Sequence, residues 1–409
     1  MKDRLPAMDA NTAIQPASSA APSGSGASGS RASGLGAAAA RAAVVAAPAA
    51  SAADAGARLD AAVVAAVTEA GFARHFVPGR WGGTEGTVTE LFDAAVQLAG
   101  SCPSTAWCAT LWAWHGRFAA VLPEQGQREL WAHGPDARIS ATVVPPAGQA
   151  EQTPGGWRVT GRWRFASGVD HADWLLVTTP GPSGTQHGPL VLAVPRRQAR
   201  IAAPWDALGL RGTGSHDIAL DEAEVPAHRA FPLARLLGGD TRPGVPRCHA
   251  APPELAAGLL MCASALGAAR RALTVWTGLV AARAAEAPAP YAAPVWEALA
   301  RSTAELDAAR LLLREGARRA DQEPVITPEL TARARCEAAL AAEMTTTAVQ
   351  RLFRTGGSHA GNAPGELQRA WRDVHTATAH AALRLGPAAQ SYGLAVAART
   401  QPGEEPAMG

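Results

Sequence analysis

The stretch RWRFASGVDHADW runs from Arg162 to Trp174. Its alternating side chains predict a strand that enters a turn at Ser167, and "DWLLVTT" immediately afterwards predicts a second strand. Only 5% of the chain is aromatic, yet three aromatic residues surround this corner: Trp163, Phe165 and Trp174. We therefore predict that Ser167 lies on a sheet edge or loop and borders a binding site.

Composition limits the class of protein. The chain has 409 residues, of which 47% are hydrophobic and 18% charged, so it is long enough to bury a sizeable core. The formal net charge is only +2, and no block of basic residues stands out. Because nucleic acids and anionic membranes are bound through clustered positive charge, we expect neither as a partner.

Cysteine usage and hydropathy indicate the compartment. The five cysteines form an odd set without a C-x-x-C pair, which argues against a disulfide framework or a structural zinc site and favours a reducing compartment. No uninterrupted apolar run reaches the roughly 18 residues of a membrane span, and the first residues lack the apolar centre of a secretory signal. We expect a cytoplasmic protein that binds no metal and no membrane.

Missing residue types exclude several mechanisms. Lys2 is the only lysine, so a lysine Schiff base, a P-loop lysine and a lysine general base are excluded. The chain also lacks the G-x-S-x-G motif of serine hydrolases and the H-E-x-x-H motif of zinc proteases. The glycines of "GLRGTGSHD", residues 209–217, precede a strand-like run rather than opening a helix, so we reject a dinucleotide-binding fingerprint.

The sequence divides into five regions. A Ser/Gly/Ala/Pro tract predicts a disordered tail over residues 1–36. Helical periodicity with glycines at Gly71 and Gly100, suited to helix ends, predicts a helical domain over 37–134. Val, Trp and Thr with frequent turn signals predict an antiparallel β domain over 135–235. Four long amphipathic stretches predict a helical bundle over 250–395, followed by a flexible tail over 396–409. The fold class is α+β, mostly α.

Several stretches spread over residues 76–385 resemble one superfamily: "VPGRWGG", "SCPSTAW", "WRVTGRWRFASGVDHADWLLV", "WDALGLRGTGSHDIALDEAEVP" and "LQRAWRDVHTATAH". Together they resemble the acyl-CoA dehydrogenase superfamily and, within it, the oxygenase components of two-component flavin-dependent monooxygenases. The resemblance implies a reduced flavin, FMN or FAD, that reacts with O2 to form a C4a-hydroperoxide. The resemblance implies that this adduct hydroxylates, or oxidises at nitrogen or sulfur, a small organic substrate such as an aromatic compound or a secondary metabolite.

One position separates this activity from dehydrogenation of a thioester. If "GNAPGELQR" aligns without gaps with the "YEGTNEIQR"-like segment of the dehydrogenases, Asn362 occupies the place of their glutamate base. An amide has no basic form near neutral pH and cannot abstract a proton. A glutamate from another helix would restore that activity, so an acyl-CoA dehydrogenase remains an alternative. A non-catalytic binding protein with the same fold is another.

Three residues are candidate catalytic groups by resemblance. Ser167 matches a serine near flavin N5, although a turn serine also bonds its own backbone. His115 shares a helix face with Leu111, Phe118 and Leu122, where a buried core histidine is the alternative to substrate deprotonation or orientation. His380 ends the stripe Arg369, Asp373, Thr376, His380, a pattern usual for a solvated surface, but the resemblance places its imidazole beside the flavin.

The remaining candidates concern the cofactor and the partners. Strand residues Ser140, Thr142 and Phe165 are candidate ring contacts by resemblance. Arg283 and the bend Gly356, Gly357, Ser358 are candidate phosphate ligands, because glycines expose backbone N–H groups and arginine adds donors; a helix C-cap at Gly356 explains the bend equally well. The resemblance further implies a separate NAD(P)H:flavin reductase and a homotetramer whose neighbouring subunits complete each flavin site.

Overall fold

The computed structural model describes residues 34–181, 188–240, 242–362 and 365–400. Five helices precede the strands: α1 (Gly34–Gly56), α2 (Ala61–Glu69), α3 (Val88–Ala99), α4 (Pro103–Ala119) and α5 (Glu124–Leu130). Local signals explain their ends. Asp60 caps α2 by accepting from the backbone N–H of Ala62, and Thr87 and Glu90 form a reciprocal capping box at the start of α3.

Eight strands follow: β1 (Ile139–Thr142), β2 (Gln149–Thr153), β3 (Gly156–Ala166), β4 (Trp174–Thr179), β5 (Leu190–Pro195), β6 (Arg200–Ala203), β7 (His216–Pro226) and β8 (Ala230–Pro232). They form two four-stranded sheets, ordered β1-β4-β5-β8 and β2-β3-β7-β6. The pair β1 and β4 is parallel, and the other pairs are antiparallel. The predicted purely antiparallel domain is therefore wrong in this one pairing.

The C-terminal part is helical: α6 (Leu233–Leu237), α7 (Arg247–Ala250), α8 (Glu254–Glu286), α9 (Ala289–Gln322), α10 (Pro328–Thr355), α11 (Glu366–Thr378) and α12 (Leu385–Thr400). Helices α8, α9 and α10 are the long members of the predicted bundle, and α11 packs against α8 and α10. The mostly helical architecture with a small β region is as predicted.

The first sheet lies between the helices and the second sheet. On β4 and β5, Leu176 and Val191 belong to the large core shared with the helices, whereas Leu175 and Leu192 belong to a smaller core shared with the second sheet. Both faces are covered, which explains why these strands are continuous apolar runs rather than alternating ones. The corner after β3 therefore lies where the sheets meet the helices.

Some boundaries differ from those expected. Helix α1 already begins at Gly34, inside the tail expected to reach residue 36, and residues 1–33 lie outside the described part of the chain. Helix α12 extends to Thr400, into the tail expected from 396. Gly71 follows α2 with a φ of +85°, as a terminating glycine does. Gly100 ends α3 in the right-handed helical region, so its left-handed freedom is not used there.

Two helices have the length and composition of a membrane span. They are α1 and the segment Glu254–Val280 of α8. The α8 segment is 83% buried inside the protein and is a core helix, whereas the α1 segment is 28% buried. Core helices of water-soluble proteins meet the same criterion, so this is a weak indication of a membrane. It still qualifies the expectation that no apolar run is long enough.

Candidate functional site

The corner after β3 has an unusual backbone. Phe165 and Gly168 have φ angles of +61° and +69°, and the pairing of β3 with β7 shifts register between Trp163 and Ala166. A left-handed phenylalanine is rare, and such strain persists only where the surroundings hold it. Here Ser140 on β1 donates its hydroxyl to the Ser167 carbonyl oxygen at 2.9 Å. The turn predicted at Ser167 is confirmed.

The Ser167 side chain belongs to a chain of hydroxyl groups. Its Oγ lies 2.7 Å from Ser215 Oγ, which lies 2.7 Å from Thr213 Oγ1. Thr213 in turn donates to the Leu210 carbonyl oxygen at 2.8 Å. On its other side, Ser167 accepts the indole N–H of Trp107 at 3.2 Å. Ser167 is 8% exposed, more than Ser215 at 5% and Thr213 at 2%, so Ser167 is the outward end of this buried network.

A buried carboxylate holds the far end of this network. The backbone N–H of Leu210, a residue with a φ of +49°, donates to Asp373 Oδ1 at 2.6 Å. Gly209 permits this approach, because a Cβ there would lie 2.3 Å from the Arg372 carbonyl. Asp373 is 3% exposed, and burial raises its pKa to about 7. The alternative interpretation of the stripe Arg369, Asp373, Thr376, His380 as a solvated surface therefore does not hold at Asp373.

His115 is buried, as predicted from its apolar neighbours. The sequence predicts one buried helix face, made by His115 with Leu111, Phe118 and Leu122. In the structure every residue of α4 after Pro103 is buried, so the whole helix is enclosed. The carbonyl oxygen of Ile139 can only accept, so His115 Nδ1 carries a proton and donates to it at 2.8 Å. Nε2 then keeps its lone pair. Burial lowers the pKa of His115 to about 4, which keeps the imidazole neutral near pH 7.

His380 lies beyond α11 rather than on it. Helix α11 ends at Thr378, and His380 caps the following turn by accepting the backbone N–H of Ala382 at Nδ1, 3.2 Å away. Its neutral form therefore carries the proton on Nε2. The ring is exposed and stands edge-on to Trp107, with the ring centroids 5.9 Å apart. Partial desolvation by the surrounding protein lowers the pKa of His380.

Trp107 therefore brings two of the three predicted catalytic residues together, Ser167 and His380. His115 is connected to the Ser167 corner less directly. It bonds Ile139, and the next residue on β1, Ser140, bonds the Ser167 carbonyl. The structure thus places His115 behind the corner, on the same strand that braces it.

The predicted ring contacts differ in what they offer a ligand. Ser140 is buried and its hydroxyl is used by Ser167, so it supports the corner. Thr142 has a buried hydroxyl without a hydrogen-bond partner among the described residues. Phe165 is 54% exposed and stands edge-on to Trp205, with the centroids 5.9 Å apart. Phe165 is therefore the exposed member, and Thr142 is the one with an unused buried hydroxyl.

The predicted phosphate ligands lie on the bundle. Arg283 is exposed in the last turn of α8 and forms no ion pair within the described part of the chain. Gly356 ends α10, as the C-cap interpretation predicts, whereas Gly357 has a φ of +66° and open space around its Cα. Ser358 is exposed. No hydrogen bond or ion pair of the described residues joins this set to Ser167.

Two cavities are found away from this corner. A cleft of about 640 Å³ lies beside the C-terminal end of α4 and is bordered by Arg117, Arg235 and His249. A cavity of about 210 Å³ is bordered by Arg271, Arg369 and Asp373, among others. Neither contains His115, Ser167 or His380. Within the described residues, no cluster of three or more His, Cys, Asp or Glu side chains could hold a metal ion.

Sequence reasoning missed four residues of this site: Trp107, Thr213, Ser215 and Asp373. Thr213 and Ser215 lie in "GLRGTGSHD". The glycine spacing of this stretch argues against a dinucleotide-binding fingerprint, but it says nothing about the hydroxyl residues between the glycines. Two hydroxyl residues flanking a glycine in a turn were the available signal. Trp107 and Asp373 lie within the family-like stretches "SCPSTAW" and "LQRAWRDVHTATAH", but no pattern of neighbouring residues indicates their contacts with Ser167 and Leu210.

Asn362 precedes α11 at the end of a short 3-10 turn and is exposed. The residues that immediately follow it, 363 and 364, lie outside the described part of the chain. At the Ser167 corner, the nearby carboxylates are already paired: Asp170 contacts His216 Nε2 at 3.0 Å, and Asp217 pairs with Arg162. Among the described residues, these two carboxylates are therefore not free to act as the base that an acyl-CoA dehydrogenase needs.

Comparison with known proteins gives a consistent result. Residues 259–385 match the acyl-CoA dehydrogenase C-terminal domain family. The oxygenase component of the FADH2-dependent resorcinol hydroxylase of Rhizobium sp. strain MTP-10005 is 30% identical over 351 residues, covering 79% of this chain and 84% of the relative. The oxygenase subunit HsaA of a flavin-dependent monooxygenase from Rhodococcus jostii RHA1 is 29% identical over 335 residues, covering 78% and 86%.

A solved structure agrees with the sequence relatives. XiaF from Streptomyces sp., in complex with FADH2 and glycerol, superposes with a TM-score of 0.81 at 26% identity, covering 89% of this chain and 95% of XiaF. The fold class and the flavin dependence expected from the sequence are confirmed, and none of these three relatives supports the acyl-CoA dehydrogenase or the non-catalytic alternative. The chain belongs to the oxygenase components of two-component flavin-dependent monooxygenases, built on the acyl-CoA dehydrogenase fold.

Proposed function

We propose that this oxygenase hydroxylates a small aromatic substrate at the corner formed by Ser167, Trp107 and His380, with reduced flavin that a separate NAD(P)H:flavin reductase supplies by diffusion. The observation that carries the proposal is the convergence of the Ser167 hydroxyl and the His380 imidazole on Trp107. The resorcinol hydroxylase relative supports an aromatic substrate. A reduced, diffusible flavin is consistent with a protein of the cytoplasm.

The residues present fit a flavin. An isoalloxazine ring needs an apolar face to stack on and hydrogen-bonding groups along its edge. Phe165 offers an exposed aromatic face, and Thr142 has a buried hydroxyl without a partner. Ser167 keeps one lone pair free, since its oxygen has accepted only the Trp107 N–H. We assign the ring to these three residues, with Ser167 at N5.

The phosphate end of the cofactor needs cations and N–H donors. Arg283 is exposed and unpaired in the described structure, and Gly357 leaves its backbone open. Trp276, two helical turns before Arg283, donates to Thr355 at the end of α10, so both groups lie at the same end of the bundle. Among the described residues of one chain, no hydrogen bond connects this set to Ser167. We therefore assign it to the flavin of a neighbouring subunit in a homotetramer.

Bound reduced flavin supplies the two electrons with which O2 is split, one oxygen atom entering the substrate and the other leaving as water. The chain's own residues control protons and water. His115 is neutral near pH 7 with a lone pair on Nε2, which suits it to orient or deprotonate a phenolic O–H. His380 presents Nε2–H beside Trp107 and can donate a proton. Buried Trp107 and Trp112 on α4 exclude water behind the corner.

The test uses the purified full chain. With NADH alone it should consume no O2, and with a flavin reductase, FMN or FAD, and a panel containing resorcinol, phenol and indole it should form a product heavier by one oxygen atom. Labelled ¹⁸O2 should place the label in that product. The opposite result is tightly bound oxidised FAD that an acyl-CoA thioester bleaches without O2, which would make the protein a dehydrogenase.

A further inference from the structure

The hydroxyl network at Ser167 has a determined direction. A carbonyl oxygen cannot donate, so the single proton of the Thr213 hydroxyl points to the Leu210 carbonyl at 2.8 Å. Thr213 must then accept from Ser215, and Ser215 must accept from Ser167. Each of the three hydroxyls has one proton, and each proton is committed in the same direction, away from the surface.

Ser167 is consequently left without a proton for a ligand. Its oxygen has two lone pairs, of which one accepts the Trp107 N–H at 3.2 Å. The other lone pair is the remaining hydrogen-bonding capacity of this side chain. A ligand that meets Ser167 must therefore bring its own donor.

We propose that Thr213 and Ser215 are positioning residues that make Ser167 a hydrogen-bond acceptor, so that the site favours flavin with a hydrogen on N5. Reduced flavin carries that hydrogen, whereas oxidised flavin has only a lone pair there and would face the lone pair of Ser167. The inference rests on the proposed placement of N5 beside Ser167. It deepens that function by identifying which residues select the redox state of the cofactor.

The direction can be reversed only at a cost. For Ser167 to donate outward, Ser215 must donate to Ser167 and Thr213 must donate to Ser215, which breaks the Thr213 bond to Leu210. That carbonyl would keep the Trp205 indole N–H at 3.0 Å and the Thr213 backbone N–H at 3.1 Å, so the network loses one buried hydrogen bond in total. One such bond corresponds to a factor of about 3 to 10 in an equilibrium constant. This is the contribution to redox selectivity expected from the network.

The experiment compares two dissociation constants for each protein. Oxidised flavin is titrated in air, and dithionite-reduced flavin is titrated anaerobically, both followed by tryptophan fluorescence. In Ser215→Ala and in Thr213→Val, Ser167 is released to donate, so the dissociation constant of oxidised flavin should fall by about 3- to 10-fold. That of reduced flavin should change less than about twofold, because Ser167 can still accept.

Two further variants separate polarity from packing. Thr213→Ser keeps the hydroxyl and loses a methyl group, so it should retain the wild-type ratio of the two constants. Thr178→Val removes a buried hydroxyl of β4 that has no partner, and it should also leave the ratio unchanged. Unfolding temperatures of all variants show whether any change in binding is a change in stability.

The outcomes are distinguishable. A ratio that stays at the wild-type value in both Ser215→Ala and Thr213→Val overturns the inference, as does an equal shift in Thr213→Ser. In either case, reduced flavin still binds and the proposed function stands. If the wild-type protein binds reduced flavin no better than an unrelated protein does, the proposed function itself fails and this inference fails with it.

Discussion

Trp107 donates its indole N–H to the Ser167 hydroxyl at 3.2 Å, and the edge-to-face contact of the same ring with His380 links α4, the β3 corner and the turn after α11. Because the indole is buried on α4, it fixes the distance between a hydroxyl and an imidazole that come from distant parts of the chain. Such a shared support positions reactive groups more accurately than two independent loops would. The predictions below test the groups around it.

The first prediction concerns His380. His380→Asn keeps an acceptor for the Ala382 N–H, since asparagine is a favourable N-cap residue, but removes the imidazole. The free energy of unfolding should therefore change by less than about 0.5 kcal/mol. With protein in excess over reduced flavin, hydrogen peroxide release should rise by about tenfold, because the positioned donor is lost.

Peroxide is measured with a peroxidase-coupled dye. His375→Asn is a matched control, because His375 Nδ1 bonds the Trp371 carbonyl within the same helix and faces no predicted ligand. Equal peroxide release from wild type and His380→Asn would contradict a catalytic role for His380.

The second prediction concerns the pH dependence of stability at His115. Burial lowers the pKa of His115 from 6.5 to about 4, so the folded protein resists protonation that the unfolded chain accepts. The stabilising contribution is present above pH 6.5 and is lost as the pH falls through 4. His115→Asn keeps a donor for the Ile139 carbonyl and cannot titrate.

Urea unfolding at pH 7.5 and pH 4.5 should therefore show a smaller loss of stability in His115→Asn than in wild type, by about 2–3 kcal/mol. The same variant should lower turnover of a phenolic substrate by about 100-fold, because the amide offers no base. A parallel pH dependence of wild type and variant would show that His115 is already protonated in the native protein near pH 6.

Features of the fold and of the site could be predicted from the sequence only where the interacting residues are close together along the chain. The turn after β3 and the helical periodicity of α8 to α10 depend on neighbours within a few positions, and they were predicted. The site depends on pairs 48, 60 and 163 positions apart: Ser167 with Ser215, Trp107 with Ser167, and Leu210 with Asp373. Local patterns contain no information on such pairs.

The burial of Asp373 could not be predicted from the sequence for the same reason. On α11, Arg369 and Asp373 are spaced as a polar face would be, and a polar face of an isolated helix is normally solvated. Here the turn containing Leu210 covers that face and uses the carboxylate as an acceptor. Gly209 makes the close approach of the two backbones possible. Only the tertiary arrangement reveals that the stripe is buried at this position.

The third prediction tests that buried carboxylate. The pKa of Asp373 is raised by burial from 3.8 to about 7, so the native protein holds a proton that the unfolded chain releases. The associated stability is fully present below pH 3.8 and is lost as the pH rises through 7. Asp373→Asn accepts the Leu210 N–H through its amide oxygen but has no charge to bury.

Wild type should therefore lose stability between pH 5 and pH 8, and Asp373→Asn should lose less. At pH 8 the variant should be the more stable protein by up to about 4 kcal/mol, since the raised pKa already includes the opposing effect of nearby Arg369 and Arg372. Asp93→Asn, which removes one member of an exposed pair with Arg314, is the control and should show no such pH dependence. A variant less stable than wild type at pH 8 would mean that Asp373 is ionised and stabilising.

The last prediction tests whether neighbouring subunits share a flavin. Ser167→Ala should impair the ring end of the site in its own chain, and Arg283→Ala should impair the phosphate end that it lends to a neighbour. Arg283 is exposed and forms no ion pair in the described structure, so its replacement should leave the fold intact. When the two variants are coexpressed with different affinity tags and mixed assemblies are isolated, each mixed pair should regain one site with both ends intact. Binding of reduced flavin should then exceed that of either variant alone. If both ends belonged to the same chain, every site in the mixed assembly would carry one defect, and no recovery would occur.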